Sequence, residues 1–280
     1  MKSYCIKTDN EKIIDYLLNK IENLDFPDIY YCKKNFKIYE NIIMHYKESN
    51  VTKFQNIVTS ILVDTILDFY QDNILKRIIN INYFYFDEFE KKIIFENCQE
   101  FFKQDEEEII ETVFREIKKY LKENRNIVLE GVVNFRLNEY VKKLDNIVDI
   151  AVNKYIIEKE YKEFINLLKI YVNATEPKTD MFHLIYLNGE SILLDKQKNI
   201  VQLESNINNA KYLSDITFSS NDIALNTLLS LLPQKIEVHV IDKEDEFINT
   251  IKLIFEDRVR ICTDCNICRT YRMLQPAKKM

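Results

Sequence analysis

The sequence predicts an α+β protein, with a mainly helical N-terminal and central region and a small C-terminal α/β domain containing a β-hairpin or meander and a β-α-β unit. Three stretches carry that reading. Between Asn126 and Asn173, apolar residues recur at Val133, Leu137, Tyr140, Val141, Leu144, Val148, Ala151 and Tyr155, the three-and-four spacing of one helix face. From Met181 the pattern reads as paired strands: MFHLIYL and ESILLD flank Asn188-Gly189, a pair suited to the two positive φ angles of a type I′ turn. Farther on, a helical pattern to Leu232 stops at Pro233, alternation follows from Lys235 to Ile241, and a second helix and a last strand come after it.

Taken in order, Ser3 to Lys7 is a short strand, and Asp9 caps a helix from Asn10 to Leu24, with Ile13, Ile14, Leu17, Leu18 and Ile21 as its buried stripe. Ile29–Cys32 and Phe36–His45 read as a hairpin pair turning near Lys33 to Asn35, which makes residues 1–50 a small β-α-β-β unit. Residues 51–176 form the helical domain. Its first helix runs from Thr52 to Ile79; Asp87 and Glu90 form a capping box for the next, which reaches Lys103; and the acidic run Asp105 to Glu108 opens a third, from Glu106 to Asn124, where the helix dipole favours negative charge. The long central helix then begins, with Gly131 as its expected bend, and Glu176-Pro177 closes the region. Residues 177–262 form the α/β domain: the hairpin, a third strand from Asn199 to Leu203, a polar loop over 205–220, a helix from Asn221 or Asp222, the strand Lys235–Ile241, the helix Glu244–Glu256 and the strand Arg258–Cys262. Strands joined by a helix favour parallel pairing. Residues 263–280 are a basic, cysteine-containing tail.

Composition removes many functions. With 46% apolar and 30% charged residues the chain is globular, and no apolar run approaches the roughly 18 residues of a spanning helix. MKSYCIKTDNEK has no apolar segment after its lysine, so the cytoplasm is the expected compartment and a membrane is not an expected partner. There are only two glycines, Gly131 and Gly189, so no glycine-rich phosphate loop and no G-x-S-x-G elbow exists. The three histidines, His45, His183 and His239, lie too far apart for H-E-x-x-H. A net charge of −6 opposes a nucleic-acid protein, although from Arg258 onward the chain has a local excess of five positive charges.

The stretch EGVVNFRLNEYVKKLDNIVDIAVNKYIIEKEYKEFINLLKIYV, then EPK, a hairpin and a closing DRVRICTDCNIC, resembles the YtxC-like family of sporulation proteins from spore-forming Gram-positive bacteria. The resemblance covers most of the chain and is strongest from Glu130 to Pro177. It implies a sporulation context and brings no catalytic residues.

Chemistry is concentrated at Cys262, Cys265 and Cys268, in C-T-D-C-N-I-C. Three thiols at two-residue gaps in a reducing compartment suit a metal or a redox role. The bacterial ferredoxin run places a fourth cysteine four residues on, where this chain has Arg272. His239, on a neighbouring predicted strand, is the first candidate for the fourth ligand; Cys5, Cys32 and Cys98 are the others. Zinc in a closed Cys3His site, an iron–sulfur cluster, a thiol-redox role and unliganded thiols all remain open. Asp64 and Asp68, four apart, read as a solvated helix edge ahead of a metal-holding carboxylate pair, and Arg136 as an ion-pair partner of Glu139. No catalytic motif is present. The reading is a non-enzymatic interaction or scaffold protein that acts on a protein partner, with metal binding or thiol redox at the cysteines as the alternative; an uncovered apolar helix face would serve a partner or a second copy.

Overall fold

The computed structural model describes residues 2–47, save 25, 27 and 37, then 51–201, 219–241 and 245–273. The chain divides into two units, Met1–Glu158 and Lys159–Met280.

The first unit opens with a small sheet. β1 (Lys2–Thr8) is followed by α1 (Glu11–Glu22), β2 (Ile29–Asn35) and β3 (Glu40–Tyr46). The cap of α1 is Asn10 rather than Asp9: its side chain accepts from the Lys12 N–H at 3.0 Å. The hairpin turns after Asn35, later than expected, because β2 pairs through Asn35 with Glu40. Strand alternation decides the buried face, with Tyr4, Ile6 and Thr8 of β1 and Ile42, Met44 and Tyr46 of β3 turned inward.

The helices follow as α2 (Val51–Asn82), α3 (Glu88–Gln104), α4 (Glu106–Glu123), α5 (Leu129–Phe135) and α6 (Asn138–Ala174), with β4 (Asn126–Val128) between α4 and α5. The capping box at Asp87 and Glu90 is present, with bonds of 2.8 and 2.9 Å. Two features depart from the sequence reading. Residues 126–128 are a strand, not helix: β4 pairs parallel to β1, Ile6 opposite Ile127, and completes the sheet order β2-β3-β1-β4. The helical run breaks at Arg136–Leu137, not at Gly131, and α6 restarts with its Glu139 and Tyr140 N–H groups donating to the Glu116 carboxylate at 3.0 and 3.1 Å. The expected stripe is otherwise the core. Leu137, Tyr140, Leu144, Val148, Ala151 and Tyr155 are all buried, together with Phe54, Val58 and Leu62 of α2. A fully buried aliphatic side chain of this kind contributes roughly 1.5–3 kcal/mol.

The second unit contains the end of α6, then β5 (Thr179–Leu187), β6 (Glu190–Leu194), α7 (Ser220–Leu231), β7 (Pro233–Val240), α8 (Glu246–Phe255), β8 (Val259–Cys262) and α9 (Asn266–Met273). The sheet order is β6-β5-β7-β8, with β5–β7 and β7–β8 parallel and β5–β6 an antiparallel hairpin. Its turn has φ 53° at Asn188 and 83° at Gly189, as a type I′ turn requires. The expected third strand of the meander is not formed over residues 199–201, where Ile200 makes only an isolated bridge to Leu194; most of the expected polar loop lies outside the described residues. Within the tail, residues 266–273 are helical, as α9. No helix among the described residues is long and apolar enough to cross a membrane.

The sheet's two faces have different cover. Phe182, Leu184, Tyr186, Ile236 and Val238 point into a core shared with Leu228 of α7 and with Ile248, Ile251 and Ile254 of α8. The alternate residues, Ile185 of β5 and Ile241 just past β7, pack with Leu194 and Cys268 in a smaller cluster. α9 therefore belongs to the opposite face, and that face carries the candidate site.

Candidate metal centre

Register assembles the site. In β7, Glu237 and His239 share the face opposite the large core, since Ile236, Val238 and Val240 turn the other way. β5 places His183 opposite Glu237, and β8 places Cys262 opposite His239. The chain then turns through Thr263 and Asp264 so that Cys265 immediately precedes α9, and one helical turn brings Cys268 alongside it; the Arg269 N–H donates to the Cys265 carbonyl at 2.9 Å. The turn is held by its own arginines. Arg269 grips Asp264 with two bonds of 3.0 and 3.2 Å, and Arg272 donates to the Thr263 carbonyl. Two of the cations that gave the tail its basic character are thus committed to shaping this loop.

The four predicted ligands come together. Cys265 Sγ and Cys268 Sγ each lie 3.4 Å from His239 Nδ1, the two sulfurs are 3.7 Å apart, and Cys268 Sγ is 3.9 Å from Cys262 Sγ. All four donor atoms fall within 4.8 Å of one another. A tetrahedron of zinc–ligand lengths has sulfur–sulfur edges of about 3.8 Å and sulfur–nitrogen edges of about 3.6 Å. The donor set fits one ion at that size. An iron–sulfur cluster fits less well, because its thiolates bind separate irons and must stand farther apart than donors converging on a single ion.

Electrostatics prepares the donors unequally. His239 and Cys268 are buried, while Cys262 and Cys265 are partly exposed. Burial lowers the His239 pKa, and the neighbouring His183 adds to the effect, so the imidazole is neutral at pH 7, the form that ligates. Burial pushes the Cys262 thiol up to about 12, with hydrogen bonding to Cys265 and Cys268 adding to it, and burial also raises Cys268. Burial opposes ionisation at Cys265 too, but there the backbone N–H of Cys268, the thiols of Cys262 and Cys268 and the Ile267 N–H outweigh it, and the pKa falls. A cysteine just before a helix, in C-x-x-C, commonly shows such a lowering.

One partner escaped the sequence reading. His183 Nδ1 lies 3.0 Å from His239 Nε2 and 3.3 Å from Glu237 Oε2. The only hint was that both histidines sit in predicted strands; their adjacency depends on a parallel register that local patterns do not encode. The remaining candidates have other places. Cys5 is on β1, Cys32 on β2 and Cys98 buried in α3, all in the first unit. Asp64 pairs with Lys20 at 2.7 Å and Asp68 accepts from the Tyr16 hydroxyl at 2.6 Å, which leaves them as the solvated edge facing α1. Glu139 pairs with Arg115 at 2.6 Å in place of the expected Arg136, which the break between α5 and α6 takes out of helical phase.

Fold and site together define a two-unit α+β protein whose C-terminal sheet carries a group of three thiols and one imidazole able to hold a metal ion. The profile of the YtxC-like family matches residues 56–260, and the chain belongs to that family. It is 21% identical over 216 residues, 74% of this chain and 76% of the relative, to a protein of Bacillus subtilis (strain 168) named "Uncharacterized protein YtxC". No solved structure matches. The family match takes in His183 and His239 and ends two residues before Cys262, so the three thiols rest on their own geometry.

Proposed function

We propose that the protein is a non-enzymatic, sporulation-associated interaction protein of the cytoplasm whose second unit holds one zinc ion at Cys262, Cys265, Cys268 and His239. The convergence of four donor atoms within 4.8 Å carries the metal reading. Four protein ligands leave no open position for substrate, so the ion's part is to cross-link β7, β8 and α9. Neutral His239 is already in its ligating form, and Cys265 is the thiol of the three whose pKa is shifted toward ionisation. The sporulation context rests on family membership. The interaction reading draws on apolar residues left exposed, notably Phe84, Tyr85 and Phe89 around the connection of α2 and α3.

The test is elemental analysis with an absorbance spectrum, on full-length chain purified anaerobically without a metal-binding tag. One zinc per chain and no visible chromophore is the expected result. A brown iron chromophore, or a metal-free chain with three titratable thiols at this cluster that takes up no added zinc, overturns it. The second of those outcomes would favour the thiol-redox reading, for which the 3.7 Å approach of Cys265 and Cys268 is the supporting observation.

A further inference from the structure

We infer that His183 is the positioning residue of this centre: its Nδ1 accepts the Nε2–H of His239 and so fixes His239 as an Nδ1 ligand. The inference rests on the metal reading above. His239 presents one nitrogen to each neighbour, Nδ1 to the Cys265 and Cys268 sulfurs at 3.4 Å and Nε2 to His183 at 3.0 Å. A neutral imidazole carries one proton. To offer Nδ1 to a metal, His239 must hold that proton on Nε2, and at 1% exposure the N–H has little access to water. His183 Nδ1 lies where the acceptor must be.

The ring geometry agrees. The two imidazole planes differ by 28° with centroids 5.2 Å apart, which an edge-to-edge N–H···N contact at 3.0 Å produces. The hydrogen bond therefore runs close to both ring planes, along the nitrogen lone pair.

The opposite tautomer has a distinct consequence. If His183 keeps its proton on Nδ1, it donates toward His239 Nε2 and Glu237 Oε2, and the His239 proton moves to Nδ1, aimed at the two sulfurs. That arrangement suits a thiolate and blocks a metal. The histidine pair thus chooses between a hydrogen-bonded thiol cluster and a ligand set, and it does so without changing net charge. Metal loading requires the His183 proton on Nε2.

The experiment measures zinc affinity by chelator competition on the anaerobic full-length chain, for wild type, His183→Ala and His183→Asn, with histidine nitrogen NMR on the zinc-loaded wild type. Loss of an outer-shell partner typically weakens metal binding by about 10- to 100-fold, and His183→Ala is expected to do so. His183→Asn, whose amide oxygen sits where Nδ1 was, restores most of it. The NMR spectrum shows His239 protonated at Nε2 and bound through Nδ1. Unchanged affinity in His183→Ala, or a His239 bound through Nε2, overturns the inference and leaves the metal reading standing. A second zinc equivalent that disappears in His183→Ala also overturns it, by making His183 a ligand in its own right. A wild type that takes up no zinc overturns both. The NMR reading needs no variant, so a His183→Ala chain that fails to fold does not remove the test.

Discussion

His239 and Cys262 sit opposite each other on the parallel strands β7 and β8, and the strand pairing alone delivers two of the four donors before any side chain is considered. The other two arrive on a single helical turn, Cys265 to Cys268. Half of the centre is thus sheet register and half is helix pitch.

Zinc is expected to act as a cross-link of the second unit. Zinc held at about a hundredfold over its Kd adds roughly 2.7 kcal/mol to a folded state that alone binds it. For a unit of this size that is about 10 °C in melting temperature. Chelation, or Cys262→Ser, should lower the melting point by that order, while Cys98→Ser, in the first unit, should not release metal. Calorimetry with metal analysis on the same samples decides the matter; equal melting with and without zinc would count against a structural ion.

Acid should destabilise the metal-free chain in a defined window. His183 and His239 both have folded pKa values below the ordinary 6.5, burial being the first cause for each. Below that pH the unfolded chain binds more protons than the folded one, so stability is complete above about 6.5 and is lost as pH falls through the lowered values. Thermal melts of the chelated protein at pH 7.5 and 5.5 should show the drop, and a His183→Gln, His239→Gln double variant should flatten it.

Tyr140 makes a prediction of the opposite sign. Its ring is in the first unit's core, but its hydroxyl is buried with no hydrogen-bond partner among the described residues. Tyr140→Phe removes the unsatisfied group and keeps the ring, so it should stabilise by about 1 kcal/mol in denaturant unfolding. Leu144→Ala, one turn along the same stripe, should destabilise by about 2–5 kcal/mol.

Gly189 tests the hairpin. Its φ of 83° suits glycine, and nothing lies within 4 Å of where a Cβ would stand, so the penalty for Gly189→Ala is backbone strain alone. About 1 kcal/mol is expected. A larger loss would mean that the bond from Asn221 Nδ2 to the Gly189 carbonyl, at 3.0 Å, also depends on the turn.

The sequence made some of this legible and hid the rest for physical reasons. The Asn188-Gly189 turn, the Asp87 capping box and the α6 stripe are local patterns, and each formed where its residues stand. The cysteine spacing is also local, and His239 could be named from its strand. β4 was hidden because three residues that pair with a strand 121 positions earlier leave no period to read. The break before α6 has no proline or glycine at it, and is fixed by a tertiary cap from Glu116. His183 was invisible because its role comes from parallel register, which only the assembled sheet supplies.

The order of the ligands along the chain carries a further consequence. His183 and His239 are synthesised before any of the three thiols, and β5 and β7 can pair as soon as β7 has left the ribosome. The imidazole pair can therefore be waiting while Cys262, Cys265 and Cys268 are still unmade, and the centre closes only once Cys268 has emerged. A chain that stops short of Cys268 has the sheet and lacks the clasp.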